Sequence, residues 1–166
     1  MKNYTTKYQN IKLLKYQISK YRYWNIKIPK YRNIKIPKYW NIKILKYRNI
    51  EISKCMNLIG ISSSQRLERL SQIRITNCPI SITSLIGLIS NSPVLKNLVI
   101  SQCNSLIGTL NISGRSCLKS IHISHCSKLT CIHISCASLS SLEMRMCYAL
   151  RSFICKSSVL AELNLS

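Results

Sequence analysis

Apolar residues recur along residues 47–166 with a period of 21 to 25 residues. The recurring pattern is L-x-x-L-x-I-x-x-C-x-x-L, in which Tyr, Ile or Met replaces an aliphatic residue in some copies. Copies start at residues 47, 70, 95, 118, 139 and 160, and the last copy is cut off by the C-terminus. This spacing is typical of leucine-rich repeats, with Cys at a position where many such repeats carry Asn.

Within each copy, the alternation of apolar and polar residues predicts a strand. Positions 4 and 6 are apolar in every copy, whereas positions 3, 5 and 7 are mostly polar. This is the pattern of a strand with one buried face. One repeat cannot bury its apolar face alone, but stacked neighbours can. The sequence therefore predicts a mainly β protein, a leucine-rich repeat solenoid with short parallel strands on its concave face.

The convex face is predicted from the segments that follow the Cys position. In three copies these segments also alternate, at Leu110 with Ile112, Ile132 with Ile134, and Phe153 with Cys155. We expect short strands or irregular coil there and few regular helices. Residues 62–69 and 80–89 are the best places for a helical turn.

Residues 1–46 follow a shorter period of eight residues. The clearest copies are RYWNIKIP (22–29), KYRNIKIP (30–37) and KYWNIKIL (38–45), and KYRNIEIS (46–53) continues them into the first repeat. Their alternation is again that of a strand, so this segment is β-prone. Three octads would span 24 residues, which fits one turn of a solenoid. We divide the chain into a basic octapeptide segment, 1–46, ordered or not, and a repeat domain, 47–166.

The charge of the chain is concentrated near its N-terminus. The formal net charge is +21, of which residues 1–54 carry +14 and residues 55–166 carry +7. Basic and aromatic residues that alternate can bind nucleic acid, with cations on phosphates and rings stacked on bases. Candidate contacts for nucleic acid or another acidic surface are Arg22, Lys30, Arg32, Lys38, Lys46 and Arg48. The competing and preferred interpretation is an expanded AT-rich coding unit without a function of its own.

The chain offers few groups for acid–base chemistry. It has four Glu and no Asp, so a Ser/His/Asp triad is excluded and nothing in the sequence places a Glu as a substitute. Cys126 follows His125, but no carboxylate lies nearby in sequence to orient that imidazole. His and Cys residues cluster within 122–136, yet the alternation turns His122 and His133 to opposite sides of the coil. The sequence therefore predicts a non-enzymatic protein without a metal or other cofactor.

The apolar stretches also bear on the compartment. No stretch reaches the roughly 18 apolar residues that a membrane-spanning helix needs, and no signal sequence is recognisable. Nine Cys without a secretory signal indicate reduced thiols. We therefore expect an intracellular protein of the cytoplasm or nucleus.

Positions 3, 5 and 7 of the repeats are expected to project from the concave strands. Concave solenoid faces commonly bind partners, so the sequence predicts a protein partner on this face. The residues predicted to contact it are Gln72, Arg74, Asn97, Val99, Ser120, His122, Ser141, Glu143 and Arg145. The face lacks the aromatic anchors typical of binding hot spots, so a solvated face without a partner stays open.

Two segments carry a resemblance to a known family. SPVLKNLVISQCNSL (92–106) and LKSIHISHCSKLTCIHIS (118–135) resemble the leucine-rich region of plant F-box proteins. Plant disease-resistance proteins of the nucleotide-binding, leucine-rich class carry similar repeats. The F-box resemblance implies the substrate-recognition part of a ubiquitin-ligase adaptor. Residues 1–54 contain octads in place of an F-box, and the phosphate-binding motif G-x-x-x-x-G-K-[ST] is absent. We therefore expect a fragment or a rearranged gene product, with or without a selected function.

Overall fold

Strands form where apolar and polar residues alternate, and they wind into a parallel β-solenoid of about five turns. The computed structural model describes residues 26–28, 48–54 and 66–166. The elements within these ranges are β1 (Ile26–Ile28), β2 (Asn49–Ser53), β3 (Gln72–Thr76), α1 (Ile82–Ser90), β4 (Asn97–Ser101), β5 (Gly108–Ser113), β6 (Ser120–Ser124), β7 (Leu129–Ser135), β8 (Ser141–Arg145), β9 (Ser152–Lys156) and β10 (Glu162–Leu165). The prediction of a mainly β solenoid is thereby confirmed.

One side of the solenoid is a seven-stranded parallel sheet. Its strand order is β1, β2, β3, β4, β6, β8 and β10. The pairing aligns equivalent repeat positions without a shift, so position 3 forms a row of Asn49, Gln72, Asn97, Ser120, Ser141 and Glu162. A one-residue slip would turn every buried side chain outward, so the apolar alternation fixes this register.

Among the described residues, the opposite side consists of α1 followed by a three-stranded parallel sheet, β5-β7-β9. The three strands contain the three predicted apolar pairs, and α1 contains most of the segment predicted to be helical at 80–89. Ser81 caps α1, because its side chain accepts a hydrogen bond from the Ser84 backbone N–H at 3.2 Å. Residues 66–69 form no helix, and residues 62–65 lie outside the described residues.

The two sides share one apolar core. Positions 4 and 6 of the seven-stranded sheet are buried in the turns from β2 to β8, and Ile121 and Ile123 are fully inaccessible. Leu110 and Ile132 reach the same cluster from the three-stranded sheet, also at 0% exposure. Neither side could bury its apolar face without the other.

A left-handed residue ends each described strand of the large sheet from β2 to β8. The residues with positive φ are Lys54, Asn77, Gln102, His125 and Met146, all at repeat position 8. Each backbone N–H donates to the position 7 carbonyl of the next turn, for example Gln102 N to Ser124 O at 2.9 Å. The turn is therefore tied to its neighbour by the same ladder that joins the strands.

Strand β1 joins the sheet with a spacing that matches the octads. Ile26 pairs with Ile50 and Ile28 with Ile52, a separation of 24 residues, or three octads. Ile26–Ile28 of the octad at 22–29 and Ile50–Ile52 of the octad at 46–53 therefore occupy equivalent places in paired strands. The other residues of 1–47 lie outside the described residues, so the predicted division at residue 46 stays a prediction.

Candidate functional site

The outer, solvent-facing side of the seven-stranded sheet carries three rows of side chains. Row 5, defined by repeat position 5, consists of Glu51, Arg74, Val99, His122, Glu143 and Asn164. The flanking rows at positions 3 and 7 hold mostly Ser, Thr, Asn and Gln. Row 5 therefore changes its chemistry from turn to turn, while its neighbours stay polar.

The residues predicted to contact a partner all lie on this outer face, on strands β3, β4, β6 and β8. Arg74 and Arg145 are exposed, and the other predicted residues are partly exposed. The structure brings three of them into one cluster, namely His122, Glu143 and Arg145. Gln72, Arg74, Asn97, Val99, Ser120 and Ser141 lie beside this cluster along the same strands. Partner binding by these residues stays a prediction.

Glu143 is the centre of the cluster. Its Oε2 lies 2.5 Å from His122 Nδ1, and its Oε1 accepts a hydrogen bond from Arg145 Nε. The strand register explains this contact, because His122 of β6 and Glu143 of β8 are paired neighbours. The side chains of His122 and Glu143 keep 30% and 28% of their surface exposed, so their contact is only partly screened by water.

Ser124 continues the cluster on the other side of the imidazole. His122 Nε2 lies 3.2 Å from Ser124 Oγ, and Ser124 Oγ donates to Ser101 Oγ at 3.0 Å. His122 and Ser124 are two residues apart on β6, so both project from the same face. Ser124 is only 5% exposed. The sequence placed Ser124 at repeat position 7, but the spacing of the repeats did not predict its connection to Glu143 on the next strand.

A column of thiols runs behind the left-handed turns. Cys78, Cys103 and Cys126 are buried at repeat position 9, and Cys147 is half-buried. Each thiol donates a weak hydrogen bond to the carbonyl two residues earlier, for example Cys103 Sγ to Ser101 O at 3.3 Å. Cys103 also reaches Ile75 O of the preceding turn at 3.8 Å. The repeated Cys therefore satisfies turn carbonyls across successive turns.

Two thiols in this column are coupled. A hydrogen bond between Cys126 and Cys147 raises the pKa of Cys126 and lowers the pKa of Cys147 to about 7. Burial, by contrast, raises the pKa of the Cys103 thiol. This hydrogen bond therefore favours the thiolate of Cys147 over the thiolate of Cys126.

The His and Cys residues of 122–136 are divided between the two sides of the solenoid. His122 lies on β6, whereas Cys131 and His133 lie on β7 in the three-stranded sheet. Among the described residues, no three His, Cys, Asp or Glu side chains come together to hold a metal ion. In the same residues, no helix has the length and apolar character that crossing a membrane requires.

Of the candidate electrostatic contacts, only Arg48 lies within the described residues, where it is exposed just before β2. Its carbonyl accepts hydrogen bonds from the backbone N–H groups of Ser71 and Gln72, so the main chain is fixed there. Arg22, Lys30, Arg32, Lys38 and Lys46 lie outside the described residues.

Comparison of the chain with protein-family models, with curated proteins and with solved structures finds no match.

Proposed function

We propose that this chain is a leucine-rich repeat module that recognises a protein partner through the outer face of its seven-stranded sheet. The observation that carries the proposal is the unbroken register of six strands, β2, β3, β4, β6, β8 and β10. It holds six row 5 side chains, of five residue types, on one repeating backbone. Such a surface can vary its contacts without changing its backbone, which is how solenoids bind partners.

The dimensions of row 5 suit an elongated segment of a partner. Neighbouring strands lie about 4.8 Å apart, so six strands extend the row over roughly 24 Å. Val99 is the apolar residue of row 5, and the register places it between Arg74 and His122. A partner with an apolar side chain over Val99 and an acidic group over Arg74 would complement this surface.

The family resemblance supports a more specific role. If the repeats act as in F-box proteins, the partner would be a protein selected for ubiquitination, and the chain would supply only its recognition. Such a role would use the same face and the same contacts at row 5.

The proposal is tested by placing a photo-crosslinking amino acid on each side of the full-length chain. One protein carries it at Val99, and a matched control carries it at Asn111, which is exposed on β5 of the opposite side. A partner crosslinked through Val99 is then purified and its affinity measured. We expect Val99→Arg to weaken binding at least about tenfold, as at a hot spot, and Asn111→Arg to leave it unchanged. Equal crosslinking from both sites, or none from Val99, would contradict the proposal.

Binding to nucleic acid through the basic N-terminal segment is the second candidate function, and the charge of +14 in residues 1–54 favours it. The same full-length protein distinguishes the two. Nucleic-acid affinity that falls steeply with salt and is indifferent to Val99→Arg would identify the electrostatic function.

A further inference from the structure

Three side chains on the outer face have the relative positions of a nucleophile, a base and an orienting acid. Ser124 Oγ lies 3.2 Å from His122 Nε2, and His122 Nδ1 lies 2.5 Å from Glu143 Oε2. The two ring nitrogens therefore face a hydroxyl on one side and a carboxylate on the other. A serine triad is recognised by this geometry and these roles, whatever the order of its members in the sequence.

We propose that Ser124, His122 and Glu143 form a hydrolytic triad that cleaves activated esters of small carboxylic acids. Ser124 is the nucleophile and His122 is the general base, while Glu143 is a positioning residue that orients the imidazole. This activity goes beyond partner recognition and does not depend on it. It departs from the sequence-based expectation of a non-enzymatic protein, because only the strand register brings Glu143 to His122.

The Glu143 carboxylate holds a proton on His122 Nδ1, which leaves Nε2 with a free lone pair to accept the Ser124 proton. The Ser124 hydroxyl donates to Ser101 Oγ at 3.0 Å, and a rotation about its Cβ–Oγ bond redirects the hydrogen to Nε2. Both acceptors lie within hydrogen-bond reach, so no backbone movement is needed.

The reaction proceeds in two balanced stages. As Ser124 Oγ bonds to the carbonyl carbon, its proton moves to Nε2 and the C=O π electrons move to oxygen. Collapse of this intermediate breaks the ester C–O bond, and the Nε2 proton passes to the leaving alcohol. Water then attacks the acyl carbon and gives one proton to Nε2. The acyl C–Oγ bond breaks, and Nε2 returns that proton to Ser124 Oγ. Ester and water thus become a carboxylic acid and an alcohol.

Arg145 supplies positive charge where the oxyanion forms. The register places Arg145 directly beside Ser124 in row 7, and its Nε is bonded to Glu143. Its two Nη groups belong to a side chain that is 51% exposed, so they can turn toward an oxygen at the nucleophile. Because Ser124 is only 5% exposed, a large acyl group would not reach its hydroxyl. A small acyl group with a good leaving group is therefore the substrate class.

The experiment uses the full-length protein with two probes. An alkyl fluorophosphonate phosphonylates an activated serine as the P–O bond forms and fluoride leaves, and mass spectrometry locates the adduct. Hydrolysis of p-nitrophenyl acetate gives kcat and KM. We expect the adduct on Ser124, loss of labelling in Ser124→Ala, and a fall in kcat/KM of at least about 100-fold in His122→Ala.

The matched controls separate a triad from ordinary surface chemistry. Ser135→Ala removes a serine and His133→Ala removes a histidine of β7 in the opposite sheet; both variants should keep full activity. Glu143→Gln should lower kcat about tenfold or more with KM unchanged. A residue that only supported the fold would lower the melting temperature without this selective fall in kcat.

The proposal fails if the folded, unsubstituted protein carries no adduct on Ser124, a result that needs no variant to fold. It fails equally if His122→Ala hydrolyses the ester at the original rate, or if His133→Ala loses as much activity as His122→Ala. In those cases the cluster is a polar network of the sheet face only.

Discussion

The two sides of the solenoid are made by the same turns but differ in regularity. The seven-stranded sheet repeats a strand and a left-handed residue, and the four described Cys at position 9 follow that residue. The opposite side changes from α1 to the strands β5, β7 and β9. The copy that contains α1 is 25 residues long, and the copies that contain β7 and β9 are each 21. An α-helix rises about 1.5 Å per residue and a strand about 3.3 Å, so the helix needs more residues for a given distance.

This difference shows where the solenoid tolerates variation. The continuous backbone ladder keeps β2, β3, β4, β6 and β8 at five residues each, and the shared core requires Ile, Leu or Met at the same positions. The opposite side needs only to cover that core, so it absorbs differences in length. The candidate site lies on the regular side, where side chains vary and the backbone does not.

The largest effect is expected when a charged residue replaces a core residue of either sheet. Ile123 of β6 and Ile132 of β7 are both fully buried in the same turn. We expect Ile123→Asp and Ile132→Asp each to cost more than about 4 kcal/mol, because an unpaired carboxylate is buried in an apolar core. Circular dichroism and urea unfolding measure the loss.

Ile107→Asp is the matched control, since Ile107 is 62% exposed and should tolerate the charge. A protein that keeps its melting curve with Ile132→Asp would show that the three-stranded side is an accessory layer. A curve unchanged by Ile123→Asp would contradict the repeat register itself.

The spacing of Leu, Ile and Cys was sufficient to predict the solenoid, and it located the three segments of the opposite side that were expected to be short strands or irregular coil. Positions 4 and 6 recur in every copy, and strand burial has a period of two, so the inward face could be assigned without coordinates. The left-handed turn at position 8 was not predicted. Lys54, Gln102, His125 and Met146 have nothing in common as residue types, so the conformation is imposed by the ladder.

The candidate site was likewise predicted only in part. His122, Glu143 and Arg145 were predicted to lie on one face, since their repeat positions are 5, 5 and 7. Their contact could not be predicted, because a Glu 21 residues away in sequence becomes a neighbour only when the exact strand pairing is known. Ser124 was overlooked as a site residue for the same reason.

At alkaline pH, the free energy of unfolding depends on the buried thiols of the two sides. Burial raises the pKa of Cys103 behind the large sheet and of Cys136 after β7. Above the ordinary thiol pKa, the unfolded chain releases these protons while the folded chain keeps them, so stability is retained at neutral pH and falls as pH rises. We expect each thiol to contribute a slope of at most about 1.4 kcal/mol per pH unit above roughly pH 9.

Urea unfolding from pH 7 to pH 10 measures this slope. Cys103→Ala and Cys136→Ala should each make it shallower, whatever constant loss of stability the smaller side chain causes. If Cys136→Ala left the slope unchanged while Cys103→Ala reduced it, the three-stranded side would be open to water before the large sheet unfolds.

The smallest expected effect concerns the left-handed turn that distinguishes the regular side. Gln102 is exposed with φ of 55°, a conformation that costs an L-residue about 1–2 kcal/mol and costs Gly almost nothing. Gly also gains entropy in the unfolded chain, so we expect Gln102→Gly to stabilise by only about 0.5 kcal/mol. Lys96→Gly, at an exposed position without positive φ, should destabilise by a similar amount. Urea unfolding measures the stability of both variants. Equal destabilisation by the two substitutions would show that the turn at Gln102 stores no strain.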